Sequence, residues 1–107
     1  MFYVYILYSS KSDRYYVGFT GDVEQRVLDH NQGERSGQAK KYTYKHRPWV
    51  LKLSIPFQER SVAMKIEKYI KRQKSRRFIE SLISARNNEA MLIDLLKIEI
   101  NLGWRKA

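Results

Sequence analysis

The chain opens on Phe2-Tyr3-Val4-Tyr5-Ile6-Leu7-Tyr8, breaks over Ser9-Ser10-Lys11-Ser12-Asp13, and resumes with Tyr15-Tyr16-Val17-Gly18-Phe19-Thr20. Two apolar and aromatic runs rich in β-formers, separated by a short polar segment, predict a β-hairpin. Both alternating faces of each run are apolar, so the sheet is expected to be covered on both sides, and helices must supply the cover. If Ser9 to Ser12 form an even-membered turn, Tyr8 pairs with Asp13 and Tyr5 lies directly opposite Tyr16. Their rings then share one face.

Working outward, Gly21-Asp22 opens a helix, with Asp22 as N-cap and Gln25 completing a capping-box pattern. Val23 and Val27 are spaced to face the sheet, and Gly33 marks the exit. Gln32 to His46 is polar, basic and holds two glycines, the pattern of a mobile loop. Pro48 precedes a third strand, Trp49 to Ile55, which Pro56 is expected to close. From Glu59 the period becomes helical, through Val62, Ile66, Tyr69 and Ile70 to about Gln73. Ser75 caps a further helix carrying Phe78, Ile79, Leu82 and Ile83. Asn87-Asn88 breaks it, and a last amphipathic helix runs through Met91, Leu92, Leu95, Leu96 and Ile98. The order β-β-α-β-α-α-α describes an α/β (α+β) fold, a small three-stranded sheet flanked by helices. A chain of 107 residues fits one domain, here a core over about 1–75 followed by C-terminal helices over 76–100.

Composition narrows the function classes. A hydrophobic share of 43% with 13% aromatics is too rich for a disordered chain. The absence of cysteine removes disulfides, thiolate zinc sites and a cysteine nucleophile, and two histidines argue against a zinc cage. No run approaches a membrane span and the N-terminus lacks a charged leader region, so a cytoplasmic protein without membrane contact is expected. The formal charge is +10, which favours a polyanionic partner, nucleic acid first. The charge is concentrated in the middle. Arg35, Lys40, Lys41, Lys45 and Arg47 stand together without a carboxylate, and Glu59 to Arg86 carries nine cations against three carboxylates.

Tyr3-Val4-Tyr5-Ile6-Leu7, then Tyr16-Val17-Gly18, Arg26, His30-Asn31 and Glu67 occur in an order and at spacings that resemble the GIY-YIG nuclease family, and among its members the small single-domain bacterial ones. The likeness covers about the first 75 residues. By that resemblance Tyr5 matches the tyrosine of the first motif, Tyr16 and Gly18 the tyrosine and glycine of the second, Arg26 the helix arginine and Glu67 the metal-binding carboxylate. Tyr3 departs from the family's glycine at its position. The resemblance implies a nuclease that cleaves phosphodiesters with one divalent cation, Mg²⁺ or Mn²⁺, DNA being a more natural substrate than RNA and repair or recombination its setting. The alternative is a weak or inactive nucleic-acid-binding module on the same fold.

The residue chemistry is consistent with that reading. Phosphodiester hydrolysis needs a base for water, positive charge for the phosphoryl oxygens and help for the leaving oxygen. Arg26 and His30, four apart on one helix, put a cation and an imidazole on one stripe. A tyrosine becomes a base only if its phenolate is favoured, a task that Arg26 and a metal can share. Glu67 suits Mg²⁺, which takes one or two carboxylates and keeps several waters. Its place beside buried Ile66 directs it along the edge of the sheet, so Tyr5, Tyr16, Arg26, His30 and Glu67 are expected on one concave surface. Lys71, Lys74, Arg76 and Arg77, with the Arg35 to Arg47 loop, are expected to form a phosphate-contacting rim.

Each residue also has a plainer role open to it. Tyr3, Tyr5, Tyr15 and Tyr16 fill an aromatic layer equally well, Arg26 can pair with Asp22 or Glu24, and His30 can cap its helix. Glu67 and Lys71 form a favourable i,i+4 pair. Tyr42, Tyr44 and Trp49 can stack on unpaired bases, although Trp49 after Pro48 also suits the buried start of a strand. The last helix, Met91 to Ile100, can dock a protein partner.

Overall fold

The structure, a computed structural model, describes residues 1–32 and 45–96. The expectations for Gly33, Arg35, Lys40, Lys41, Tyr42, Tyr44 and the chain from Lys97 onward, Ile98 and Ile100 included, fall outside those residues. Strands β1 (Phe2–Ser9) and β2 (Arg14–Thr20) form the hairpin, followed by α1 (Val23–Gln32), β3 (Trp49–Phe57), α2 (Arg60–Gln73), α3 (Arg76–Ser84) and α4 (Glu89–Leu96). The sheet is antiparallel in the order β2-β1-β3. This is the α+β order read from the sequence. No described helix is long and apolar enough to cross a membrane.

The first strand is central, hydrogen-bonded along both edges and covered on both faces, so Val4, Tyr5, Ile6 and Leu7 are all buried to 1% exposure or less. Its alternation sorts side chains into two unequal cores. Val4, Ile6, Val17, Leu53 and Ile55 meet Val62, Ile66 and Ile70 of α2, Leu82 of α3 and Leu92 and Leu96 of α4. On the other face Tyr5, Leu7 and Trp49 pack with Tyr16 and with Val27 of α1. The large core supplies the stability, at roughly 1.5–3 kcal/mol for each large apolar side chain buried. The small face, covered by α1 among the described residues, is where polar groups are held.

Three local expectations change. The register pairs Tyr8 with Tyr15, Leu7 with Tyr16 and Tyr5 with Gly18, so Tyr5 is not directly opposite Tyr16. The cross-strand rings of Tyr8 and Tyr15, 5.0 Å apart, and the left-handed Asp13 (φ 53°) pin a turn over residues 10–13 instead. A slip of two residues leaves every side chain on its expected face. Pro56 does not close β3 but sits within it, opposite Tyr3, on an edge strand where a missing N–H is tolerated. A bulge between Ile6 and Leu7 leaves Lys52 of β3 without a partner residue. Asp22 does cap α1, accepting from the Gln25 N–H at 3.1 Å, but the Gln25 side chain does not return to complete a box. It donates to Asp29 (3.0 Å), and Thr20 Oγ1 accepts from the Asp22 N–H (3.1 Å). Ser75 caps α3 as expected, accepting from the Phe78 N–H at 3.0 Å.

The hairpin end is tied down on both faces. On the large-core side Arg76 of α3 donates to the Asp13 carboxylate and carbonyl, and Tyr8 Oη donates to the same carboxylate at 2.7 Å. On the other side the Ser9 hydroxyl donates to the His46 carbonyl and Ser12 Oγ lies 2.7 Å from His46 Nδ1. A cis Arg47-Pro48 peptide follows. Asn31, near the end of α1, then acts as a one-residue strand partner for the start of β3: its Nδ2 donates to the Trp49 carbonyl (3.0 Å) and its Oδ1 accepts the Trp49 N–H (2.6 Å).

Removing that pair takes a donor and an acceptor away from the backbone of a buried residue. Asn31→Ala is expected to destabilise the fold by about 1–3 kcal/mol in urea titration, and Asn31→Asp, which keeps an acceptor and loses the donor, by less.

Candidate active site

The site is built over Gly18. Tyr5 points from the central strand across its partner Gly18, and a Cβ placed on Gly18 would lie 2.6 Å from the Tyr5 hydroxyl and 2.8 Å from Cζ. Only a residue without a side chain allows the ring to lie flat over β2. That is the physical reason for glycine at this position, with no unusual backbone angle involved.

Lying so, the Tyr5 hydroxyl reaches His30 Nε2 at 3.1 Å. Tyr16, diagonal to Tyr5, stacks at 6.3 Å between ring centroids and stands 4.8 Å from the His30 ring. His30 is 2% exposed, and among the described residues its Nδ1 has no partner. It therefore does not cap α1 as a cation. Burial, reinforced by Arg26 and opposed by Asp29, lowers its pKa to about 4, so the imidazole is neutral at pH 7. Arg26, one turn earlier, pairs with neither Asp22 nor Glu24 among the described residues; its charge acts on Tyr5 and His30.

Burial raises the Tyr5 pKa above the ordinary tyrosine range, Tyr16 and Glu67 add to the rise, and Arg26 opposes it. Arg26 favours the phenolate, the direction expected of it, but its guanidinium alone is outweighed by desolvation. The protein by itself keeps the proton on the Tyr5–His30 pair.

Helix α2 packs on the large-core face, yet its outer stripe reaches round β2, the edge strand. Lys71 Nζ stands 6.0 Å from the centre of the Tyr16 ring and 2.9 Å from Glu67 Oε2. The Glu67 side chain is only 14% exposed and acts electrostatically on the Tyr5 hydroxyl. The i,i+4 pair foreseen as the plainer role exists, but it stands beside the tyrosines and not on an open helix surface. Among the described residues no three His, Cys, Asp or Glu side chains gather into a cage. The donor set is one carboxylate next to a phenol, which fits a hard cation that completes its shell with water and phosphate oxygens.

Tyr5, Tyr16 and His30 thus pack against one another, Arg26 acts on the Tyr5 hydroxyl, and Glu67 stands with Lys71 at the outer side of Tyr16. Val4 and Val17 lie in the large core, and Tyr3 is half-buried opposite Thr20. The expected cationic rim divides. Lys74 is exposed at the left-handed end of α2. Arg76 is committed to Asp13, to Glu80 (3.2 Å) and to the face of Tyr15. Arg77 lines a groove of about 460 Å³ shared with Glu80, Met91 and Asp94, away from the tyrosines. Arg47 donates to the Asn31 carbonyl (3.3 Å) while Lys45 is exposed. Trp49 is buried, its edge 6.1 Å from Tyr16 between centroids, so it is core rather than a platform for bases. Sequence reasoning named Asn31 in the motif without a role and passed over the Ser9–Ser12–His46 tie, because a side chain bonding a distant backbone leaves no periodic signal.

The profile of the GIY-YIG catalytic domain matches residues 1–80. A UPF0213 protein of Staphylococcus haemolyticus is 40% identical over 81 residues, 73% of this chain and 93% of that protein. One from Halobacterium salinarum is 39% identical over 71 residues, 66% of this chain and 86% of its own. The solution NMR structure of a UPF0213 protein from Bacillus halodurans is 33% identical with a TM-score of 0.49, covering 92% of this chain and all of that one.

Two outcomes are expected from this geometry. Gly18→Ala forces the Tyr5 ring off its strand and lowers stability by about 1–3 kcal/mol, and Tyr5→Phe, which removes the hydroxyl nearest the added methyl, partly relieves the loss. His30 titrates at about 4 folded and near 6.5 unfolded, so between those values the unfolded chain binds more protons. Stability therefore falls as pH drops from 6.5 to 4, and His30→Gln flattens that slope in a pH series of urea midpoints.

Proposed function

The chain belongs to the GIY-YIG family, and from that membership we propose that it is a divalent-metal-dependent endonuclease acting on DNA. The observation that carries the reading is the Tyr5 hydroxyl, hydrogen-bonded to a neutral buried imidazole and approached by Arg26 and Glu67. A buried tyrosine hydroxyl needs a partner in any setting; the Arg26 cation beside it is what a plain aromatic layer does not require.

In the proposed reaction Tyr5 takes the proton of the attacking water while its own proton passes to His30 Nε2, which must be neutral to accept it. Arg26 binds the non-bridging oxygens of the scissile phosphate and neutralises the charge that gathers there. Tyr16 walls the pocket and holds the His30 ring. Glu67 is the residue that would hold Mg²⁺ or Mn²⁺, and Lys71 keeps its carboxylate aimed at the site. A bound divalent cation supplies the positive charge that favours phenolate over phenol and stabilises the leaving oxygen. A structure-selective role in repair or recombination belongs to the same proposal, since the residues around Tyr5 would engage the phosphate backbone, which carries no sequence information.

The alternative, a binding module that has lost turnover, is separated by one experiment: nicked, flapped and plain duplex DNA incubated with Mg²⁺, Mn²⁺ or chelator. Cleavage that requires metal is expected, and retention of DNA without cleavage under every condition would establish the module instead. Glu67→Gln keeps shape and removes charge, so it should abolish cleavage while leaving the fold and most DNA affinity in place. Arg26→Ala should lose turnover by about 10²-fold or more and also weaken binding. Cleavage by Glu67→Gln at the wild-type rate at low Mg²⁺ would leave the residue as no more than the partner of Lys71.

A further inference from the structure

Three exposed cations lie around His46 at the hairpin end, whose Ser9 and Arg14 face the tyrosine side. Arg14 lies directly opposite Ser9 and two residues from Tyr16, hence on the same face of β2 as Tyr16 and Gly18. Lys11 stands in the turn, and Lys45 is brought to it from far along the chain by His46. Four contacts hold this junction: Ser9 Oγ donating to the His46 carbonyl, Ser12 Oγ at 2.7 Å from His46 Nδ1, the Ser12 N–H donating to Ser9 Oγ at 3.2 Å, and the His46 ring edge-on to buried Trp49 at 6.5 Å.

The charges around the junction are of one sign. The groups that shift the His46 imidazole electrostatically are Arg14, Lys45 and Lys11, all of them cations. The carboxylate of the turn, Asp13, is held on the opposite side by Arg76 and Tyr8. Among the described residues none of the three cations forms an ion pair. Bolting like charges together through part-buried hydrogen bonds leaves a repulsion that a bound polyanion relieves. The spacing is suited to a strand of nucleic acid. Two residues of β-strand separate Arg14 from Tyr16, about 7 Å, which is about two nucleotides of axial rise in one DNA strand.

We propose that Lys11, Arg14 and Lys45, assembled by the Ser9–Ser12–His46 tie, form a second phosphate subsite that holds the DNA backbone one or two nucleotides from the scissile phosphate. The subsite rests on the nuclease reading for its neighbour but not for its own binding. It makes the hairpin end the part of the protein that fixes strand direction across the tyrosines, with Arg26 and Lys71 at one end of the path and Arg14 at the other.

The test is the salt dependence of binding to a fluorescein-labelled duplex by anisotropy, with chelator present so that cleavage plays no part. Each phosphate contact adds about 0.9 to the slope of log K against log[salt], so the triple variant Lys11→Gln, Arg14→Gln, Lys45→Gln should lose about 2–3 from the slope. The charge-preserving Lys11→Arg, Arg14→Lys, Lys45→Arg should keep it. With the repulsion removed, the glutamine variant should melt at or above the wild-type temperature at low salt, which separates lost contact from lost fold. An unchanged slope, or a slope lost equally by the charge-preserving variant, would overturn the subsite. Because the measurement needs no turnover, absence of cleavage by the wild-type protein would count against the nuclease alone, and the slope would still decide for or against the subsite.

Discussion

A tyrosine ring laid across a glycine is the constraint from which the small face of this protein follows. Tyr5 is on the central strand, where a large side chain has nowhere to go but over its neighbour. Gly18 is the neighbour without a Cβ, so the ring lies down instead of standing up. Once it is down, its hydroxyl is carried toward α1 and meets His30 at 3.1 Å. The helix must then sit low enough on the sheet for that bond. Val27 and the Asn31–Trp49 tie hold it there. A substituted Gly18 would lift the ring, and the imidazole beneath the helix would lose its partner.

The division into two cores explains how so small a protein holds such a site. Burial of neutral His30 and of the Tyr5 phenol is unfavourable for ionisation and leaves Nδ1 without a bond among the described residues. Those penalties fall on the face with the smaller core. The opposite face, with three helices over the sheet, carries the hydrophobic load and offsets them. Polar strain and apolar packing are thus separated by the thickness of one strand, and the alternation of β1 does the separating.

Electrostatics gives the two sides of the hairpin end different characters. On the large-core side Asp13 and Glu80 are matched by Arg76, and the cluster is a clamp. On the tyrosine side the charges of Lys11, Arg14, Lys45, Lys71 and Arg26 outnumber the carboxylates that act on the site, Glu67, which Lys71 already engages, and buried Asp29, which Gln25 holds. The surface that bears the site is therefore the one with unmatched positive charge among the described residues. An anionic substrate is the natural counterpart.

Much of this was open to reading in one dimension. Strand alternation, caps at Asp22 and Ser75, and the helical spacing of Val62, Ile66 and Ile70 are local, because each depends on a few consecutive residues and on periods of two or 3.6. They suffice for the element order and for which side of β1 carries Tyr5. The motif residues told which chemistry to look for, but not how the groups meet. The register moved by two because an aromatic pair and a left-handed Asp13 chose the turn. Arg76 left the expected rim because the hairpin returned Asp13 to it across 63 positions. The reach of Glu67 round the β2 edge depended on β2 being the outer strand, which its sequence does not state. Desolvation decided the protonation of Tyr5 and His30, and desolvation is a property of everything packed around a group. Periods and caps belong to neighbours in sequence and were determined by the sequence itself; register, burial and the meeting of distant charges depend on neighbours in space, and only the tertiary structure decided them.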